Sequence, residues 1–125
     1  MADNINNPQV RALCQIRDVY RAINDFELNF QQIYDLGLNE GMLLCSLTTQ
    51  KYSSNELANV LGLSNSNTSK VIKAVEKKGL IRRIVGKDDK RQMYFSLTEL
   101  GKKKIESIKC AELDIPETLK PVVKL

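Results

Sequence analysis

The amino-acid sequence contains no histidine, and this absence removes the commonest general base and metal ligand of proteins. A hydrolase that depends on histidine and a zinc site that uses it are both excluded. Residues 62–66, which read Gly-Leu-Ser-Asn-Ser, miss the Gly-x-Ser-x-Gly pattern of a nucleophile elbow at the last position. We therefore expect no catalytic residue, no metal site and no cofactor, and the chain is not predicted to be an enzyme.

Long apolar runs are also lacking, because no stretch approaches the roughly 20 apolar residues that a membrane-spanning helix requires. The first ten residues, MADNINNPQV, have neither the basic nor the apolar region of a signal peptide. Cysteine is scarce, and an odd number at wide spacing favours reduced thiols that pack as small apolar residues: Cys14, Cys45 and Cys110. These features predict a cytoplasmic protein that has no membrane partner.

Positive charge is present but unevenly distributed along the chain, whose formal net charge is +4. The segment from Lys70 to Lys104 holds twelve Lys or Arg residues and four acids, a net charge of +8, so the remainder sums to −4. One basic module on an acidic scaffold is typical of proteins that bind the phosphate backbone of nucleic acids. The alternative interpretation is a solvated surface that happens to be rich in lysine.

A long amphipathic helix is predicted near the N-terminus. Asn7 can serve as its N-cap and Pro8 as its first residue, and Gly37 offers the left-handed conformation that ends helices. About 28 helical residues would span about 42 Å, which is longer than the core of the domain needs. We therefore predict that part of the apolar stripe contacts a second copy of the chain; packing of the whole stripe within one chain is the alternative. The predicted dimer residues are Leu13, Ile16, Tyr20, Ile23, Phe26 and Phe30.

Two short helices joined by a glycine turn follow. They are preceded by another helix, which Asn39 can cap. Ser53 and Glu56 have the spacing of a capping box at the start of the first of the two short helices. Gly62 then interrupts the apolar pattern, and Ser64 can cap a further helix that ends at Gly79. A short helix, a glycine turn and a capped helix are the pattern of a helix-turn-helix motif.

The second helix of this motif carries polar side chains that have no place in a core. Asn can read adenine through two hydrogen bonds, Ser can bond bases or phosphates, and Lys neutralises phosphate. An ordinary amphipathic surface helix would have a similar composition, and it is the alternative. The predicted DNA-binding residues of this helix are Ser64, Asn65, Ser66, Asn67, Thr68, Ser69, Lys70 and Lys73.

The apolar period changes to two beyond Gly79, and residues 80–85 and 92–97 are predicted to form the two strands of a hairpin. Residues 86–91, Gly-Lys-Asp-Asp-Lys-Arg, form its charged tip. A hairpin after a recognition helix is a wing, and its cations suit the negative potential of a narrow minor groove. The predicted wing residues are Lys87, Asp89, Lys90 and Arg91. The alternative is a hairpin tip that is charged only because it is exposed to solvent. Thr98 can then cap a last helix.

Three segments resemble MarR-type transcription regulators: residues 54–58 (Ser-Asn-Glu-Leu-Ala), residues 76–81 (Glu-Lys-Lys-Gly-Leu-Ile), and residues 88–101 (Asp-Asp-Lys-Arg-Gln-Met-Tyr-Phe-Ser-Leu-Thr-Glu-Leu-Gly). The resemblance implies a dimeric winged-helix protein. Its Asp-x-Arg wing motif is present as Asp89 and Arg91. The resemblance assigns the arginine to the minor groove, and it assigns the acid to holding the wing in place.

Together, these observations predict one compact, mainly α-helical domain with a small antiparallel β-hairpin, the winged helix-turn-helix. Residues 1–37 and 99–125 are expected to support dimerisation, and residues 38–98 to bind DNA. The expected function is transcription regulation by a homodimer on a palindromic site in double-stranded DNA, with repression favoured over activation. The resemblance leaves room for a small-molecule effector, which no residue identifies. The competing hypothesis is a winged-helix protein interaction module without DNA affinity.

Overall fold

The computed structural model describes residues 7–109 and 113–124, which form five α-helices and one three-stranded antiparallel sheet. The elements are α1 (Pro8–Tyr34), α2 (Leu38–Ser46), β1 (Tyr52–Ser53), α3 (Ser54–Leu61), α4 (Asn65–Lys77), β2 (Ile81–Val85), β3 (Met93–Leu97) and α5 (Glu99–Lys109), followed by a short 3₁₀ helix (Glu117–Leu119). The predicted fold class, mainly α-helical with a small β-hairpin, is confirmed.

The start of α1 agrees with the prediction and its end does not. The Asn7 side chain accepts a hydrogen bond from the Gln9 N–H at 2.8 Å, as an N-cap should. The left-handed residue that ends the helix is Asp35, at φ 56°, because a short polar side chain tolerates this conformation. Gly37, at φ −69°, is the N-cap of α2, and its N–H donates to Glu40 at 3.2 Å. The predictions that Gly37 ends α1 and that Asn39 caps α2 are therefore wrong.

The capping residues of the helix-turn-helix lie where the sequence predicts. The Ser53 hydroxyl accepts from the Glu56 N–H at 3.3 Å, and the Glu56 carboxylate accepts from the Ser53 N–H at 2.9 Å. Gly62 ends α3 in the left-handed conformation, at φ 67°. The Ser64 hydroxyl then accepts from the Asn67 N–H at 3.0 Å and begins α4. Local side-chain bonds thus fix the start of each of the two helices.

The sheet has the order β1-β3-β2, and β1 is a strand that the sequence analysis does not predict. Its two residues pair with β3 through Tyr52 opposite Phe95 and Ser53 opposite Tyr94. Two residues are too few to display a period of two, so the strand exists only because β3 offers a free edge. The hairpin strands start one residue later than predicted at 81 and 93, and end as predicted at 85 and 97.

The core lies between α1, α2, the helix-turn-helix and the sheet. Phe30 is buried in it, with its ring centroid 4.9 Å from that of Tyr34. α1 and α2 approach closely enough that a Cβ at Gly41 would lie 3.0 Å from the Phe30 ring. The side chains with the least exposure come from the loop before α2 and from α2, α3 and α4: Leu36, Leu43, Leu44, Leu57, Thr68 and Val75.

The cysteines do not all follow the prediction that they pack as small apolar residues. Cys14 and Cys45 are both exposed, so the prediction is wrong for these two, and Cys110 lies outside the described residues. Cys45 nevertheless borders an apolar groove, and this partial burial raises the pKa of its thiol.

Within the described part of the chain, no helix is both long enough and apolar enough to cross a membrane.

A junction of four backbone positions joins the sheet to α5. The Thr98 hydroxyl donates to the Gly79 carbonyl at 2.6 Å and accepts from the Gly101 N–H at 3.1 Å, so Thr98 caps α5 as predicted. The Thr98 N–H donates to the Leu80 carbonyl at 3.0 Å. A Cβ at Gly101 would lie 2.1 Å from that same Leu80 oxygen. The first turn of α5 therefore leaves no room for any side chain at position 101.

The substitution Gly101→Ala should lower the free energy of unfolding by about 1–3 kcal/mol, because backbone atoms must move to admit the methyl group. Urea denaturation measures this free energy. The control is Lys103→Ala, an exposed substitution on the same helix, which should change the free energy of unfolding by less than about 0.5 kcal/mol. Equal midpoints for the two variants would show that the close contact does not constrain the fold.

Candidate nucleic-acid interface

Helix α4 turns one polar face to solvent. Its N-cap Ser64 and six residues of its outer surface are exposed: Asn65, Ser66, Asn67, Ser69, Lys70 and Lys73. The first-turn amide N–H groups lie at the N-terminal end of this helix, and Ser64 accepts from the one of Asn67. Hydrogen-bond donors and acceptors, two lysines and the positive end of a helix dipole are therefore presented together, as phosphate and base edges require.

Thr68 must be removed from the predicted set. Its side chain is fully buried, and its hydroxyl donates to the Ser64 carbonyl at 2.8 Å. It shares the inward face of α4 with Ile72 and Val75, which lie four and seven residues farther along the helix. The hydroxyl is satisfied inside the chain, and a base outside the helix has no access to it.

The hairpin tip is held by an aspartate and ends in an outward arginine. The Asp89 carboxylate accepts from the Arg91 backbone N–H at 2.9 Å and from the Arg91 Nε at 3.4 Å. The turn is closed by the Gly86 N–H, which donates to the Gln92 carbonyl at 2.9 Å. The Arg91 side chain is 93% exposed, against 45% for Asp89. Lys87 and Lys90 are exposed on the same tip.

An ion pair that the sequence analysis does not identify joins the hairpin to α4. The Arg83 guanidinium on β2 donates to both oxygens of Glu76 on α4, at 2.9 and 3.0 Å, and lies 5.5 Å from the centre of the Phe95 ring. The hydrogen bonds from Arg83 lower the pKa of Glu76 below its ordinary value of 4.5. A two-bond pair of this geometry restricts the angle between α4 and the strand that carries the wing.

The basic segment from Lys70 to Lys104 therefore does not form a single cationic surface. Arg83 is bound by Glu76, and the Lys78 ammonium lies 2.8 Å from the Glu40 carboxylate of α2. Lys104 donates to the Tyr34 carbonyl at 2.9 Å and stabilises the end of α1. A count of charges along the sequence cannot separate these bound cations from those that face solvent, because their acceptors are distant in sequence.

The apolar stripe of α1 is divided between the core and solvent. Four of the predicted dimer residues are exposed, at 67%, 63%, 69% and 40%: Leu13, Ile16, Tyr20 and Ile23. Phe26 is partly buried, and Phe30 belongs to the core of the same chain. The first fully buried residue of the helix is Ala22, so about half of α1 extends beyond the core. Because Phe30 is buried inside its own chain, the prediction that it contacts a second copy is wrong.

An apolar groove of ≈ 420 Å³ continues from this stripe, between α1, α2 and α3. Its lining includes Phe26, Met42, Val60, Leu61 and Ile108 and is almost entirely apolar. Two of these side chains, Met42 and Val60, are themselves exposed. Exposed apolar surface of this kind is typical of a contact with another molecule.

Comparison with known proteins shows what this arrangement resembles. The sequence model of the MarR family matches residues 38–93, from the start of α2 to the start of β3. A curated HTH-type transcriptional regulator of Bacillus subtilis, YdcH, which is described as uncharacterized, is 32% identical over 91 residues, covering 71% of this chain and 58% of that protein. The chain spans less than two thirds of the curated relatives it matches. The predicted MarR resemblance is confirmed.

Solved structures share the fold. The transcriptional regulator BldR from Sulfolobus solfataricus superimposes with a TM-score of 0.68 at 21% identity, covering 91% of each chain. MepR of S. aureus, in a complex with DNA, superimposes with a TM-score of 0.61 at 23% identity, covering 75% of this chain and 78% of that one. At these identities the likeness concerns the fold, which is the winged helix-turn-helix.

The ion pair between Glu76 and Arg83 should make the free energy of unfolding depend on pH. Because folding lowers the pKa of Glu76, its contribution is present above pH 4.5 and is lost as the pH falls through the folded value. Glu76→Gln should therefore lower the free energy of unfolding at pH 7 by about 0.5–1 kcal/mol, since both partners are partly exposed, and by less at pH 3.

Urea denaturation at both pH values tests this expectation. The control is Glu99→Gln. Glu99 lies 3.4 Å from Lys102 in an exposed ion pair, so this substitution should change the free energy of unfolding little at either pH. A constant difference between wild type and Glu76→Gln from pH 7 to pH 3 would contradict the assigned role of the ionised pair.

Proposed function

Because residues 38–93 match the MarR-family model and residues 38–97 form a winged helix-turn-helix, we propose that the protein is a transcription regulator that binds double-stranded DNA as a homodimer. Helix α4 lies in the major groove and the wing reaches the flanking minor groove. The regulator represses transcription from a palindromic site. Residues 38–98 bind DNA, and α1 together with the segment after β3 joins the two subunits. The fold that this chain shares with the DNA-bound MepR of S. aureus supports the proposal.

The observation that carries the proposal is that two exposed polar surfaces, the outer face of α4 and the wing, belong to elements that an ion pair joins. The exposed face of α4 offers amides and hydroxyls, and the wing offers an extended arginine that a carboxylate holds at its backbone. The pair between Glu76 and Arg83 connects these two surfaces. A protein that only contacts other proteins has no need for cations on both.

The individual roles follow from the chemistry of each side chain. Asn65 and Asn67 are suited to adenine edges, and the serines are suited to bases or phosphates. Lys70, Lys73, Lys87 and Lys90 neutralise phosphates on either side of the groove. Arg91 enters the minor groove, and Asp89 orients it. The proposed recognition set of α4 is Ser64, Asn65, Ser66, Asn67, Ser69, Lys70 and Lys73.

Dimerisation is supported by the apolar side chains that the N-terminal half of α1 leaves exposed in the single chain, above all Leu13, Ile16 and Tyr20. A helical segment that buries little of its apolar stripe gains little stability from its own sequence. A second copy of the same stripe would cover Leu13, Ile16, Tyr20 and Ile23. A two-fold dimer would also place two recognition helices on half-sites about 10 bp apart, which is how helix-turn-helix proteins read a palindrome.

A small-molecule effector remains part of the proposal. The groove of ≈ 420 Å³ beside α1 is nearly all apolar, and it lies between the proposed dimer helix and the helix-turn-helix. An apolar molecule bound there would act on both regions at once. Among the described residues, none identifies the effector.

Arg91→Ala should weaken binding to duplex DNA while the protein melts at an unchanged temperature, because the side chain is almost fully exposed. Loss of a charge-assisted contact should cost about 1.5–3 kcal/mol. Asp89→Ala should cost less, and the two losses should not add in the double variant, because both act through one wing geometry. Fluorescence anisotropy of a labelled duplex, selected from a random pool, measures the affinities.

Arg21→Ala is the matched control, because this exposed arginine of α1 lies outside the recognition helix, the wing and the predicted apolar stripe. The same titrations at several salt concentrations report phosphate contacts, and about six contacts predict a slope near −5 for log affinity against log salt. Undiminished binding by Arg91→Ala would remove the wing from the interface. A flat salt dependence with wild type would favour the alternative, a winged-helix protein interaction module.

Ile16→Asp should shift the protein from dimer to monomer without unfolding the helix-turn-helix, because it places an unpaired charge within the proposed apolar contact. Phe30 is unsuitable for this test, since its burial within the chain would confuse unfolding with dissociation. Sedimentation velocity measures the change. Gln15→Asp, which adds the same charge beside the stripe, should stay dimeric. A dimer unaffected by Ile16→Asp would place the interface elsewhere.

A further inference from the structure

A second basic surface lies away from the recognition face of α4. It is an open cavity of ≈ 510 Å³ between the loop after α2, the outer face of the sheet and α5. Four cations line it, with one acid: Lys51, Arg82, Lys102, Lys109 and Glu106. None of the recognition or wing residues proposed above contributes to the cavity.

The alternation of strand β2 separates this surface from the proposed DNA interface. Arg82 pairs across the hairpin with Ser96, and Arg83 with Phe95, so the two consecutive arginines point to opposite faces of the sheet. Arg83 meets Glu76 of α4, whereas Arg82 lines the cavity beside α5. Arg82 and Arg83 are adjacent in sequence but therefore belong to different surfaces.

The cations of the cavity are poorly neutralised by the protein. Lys102 has only the exposed contact of 3.4 Å with Glu99, and Lys109 has one of 3.6 Å with Glu106. Between residues 7 and 109 and beyond 113, the structure gives neither Lys51 nor Arg82 an ion pair. Exposed ion pairs of this length contribute little and exchange readily for a better partner. Like charges around a concave surface also concentrate a positive potential.

The remaining lining defines the shape of a suitable ligand. The floor is apolar and is formed by Leu47, Leu97 and Ile105, all buried. Ser96 adds a hydroxyl group to the lining, whereas the Thr48 and Thr49 hydroxyls already donate to the Cys45 and Ser46 carbonyls. The volume is in the range of small-molecule sites, and the excess of three positive charges matches a dianion or trianion. Arginine binds phosphate through two parallel hydrogen bonds, and lysine binds it as a point charge.

We propose that this cavity, formed by Lys51, Arg82, Lys102 and Lys109, binds a small phosphorylated molecule that carries at least two negative charges. The Arg82 guanidinium holds one phosphate against the outer face of the sheet, and the two lysines of α5 neutralise it from the opposite wall. Such a ligand would bridge α5 and the strand that carries the wing, and would leave the polar face of α4 uncovered. Its binding does not depend on the DNA-binding function proposed above.

Isothermal titration calorimetry of the full chain with inorganic pyrophosphate, without DNA and at constant ionic strength, tests the proposal. Wild type should show saturable binding. Arg82→Gln combined with Lys102→Gln should weaken it about tenfold or more, because two charge-assisted contacts are lost. The control, Lys103→Gln with Lys124→Gln, removes the same charge from exposed positions outside the cavity and should bind as wild type does.

Circular dichroism melting establishes that both double variants are folded. If the cavity variant melts lower, Arg82→Lys with Lys102→Arg, which keeps the charges, should restore binding. The absence of saturable heat with wild type, or an equal loss in both glutamine variants, would overturn the proposal. Pyrophosphate binding retained by the cavity variant, with duplex affinity lost, would also overturn it and would instead extend the DNA interface. Duplex titrations of the same proteins report separately on the proposed regulatory function.

Discussion

The close approach between the start of α5 and the turn after α4 is the constraint on which the rest of the structure depends. Thr98 binds the carbonyls of Gly79 and Leu80 and caps α5 at the same time, and Gly101 lets the helix backbone pass against Leu80. This junction joins the end of α4, both strands of the hairpin and α5 within a few ångströms. The direction of the wing and the position of α5 are thereby fixed relative to the proposed recognition helix.

Strand β2, which follows this junction, carries two arginines that lie on opposite faces of the sheet. Arg83 donates two hydrogen bonds to Glu76 and lies over the Phe95 ring. The ion pair between Arg83 and Glu76 restrains the wing relative to α4. Arg82 faces the cavity beside α5. A strand has a period of two, so a pair of adjacent cations must serve both faces of the sheet. The same basic sequence therefore supplies a structural contact on one side and an unneutralised charge on the other.

The long helix α1 makes a different kind of contribution. Its C-terminal half, through Phe30 and Tyr34, completes the core of the chain, and its N-terminal half leaves apolar side chains in solvent. The two halves of one helix would pack against different partners in the homodimer proposed above. The apolar groove that Phe26 lines lies where these two halves meet, and it is the site of the proposed effector.

The sequence by itself determined the features that depend on neighbouring residues. The caps at Asn7, Ser53 and Ser64, the glycine turn at Gly62 and the hairpin are all encoded by local hydrogen bonds and by apolar periods, and the structure confirms them. The MarR resemblance follows from the same local segments. The predicted polar face of α4 and the outward position of Arg91 also follow, because the period of a helix and the tip of a hairpin can be recognised without knowledge of the fold.

Only the tertiary structure decided the features that depend on contacts between distant residues. The burial of Thr68 and Phe30, the two-residue strand β1 and the pairing of Glu76 with Arg83 each require a partner from another element. The exposure of Cys14 and Cys45 could not be read from composition, because a cysteine is equally compatible with both surroundings. The division of the basic segment into bound and free cations was decided in the same way, since the charge of a side chain is local but its neutralisation depends on the fold.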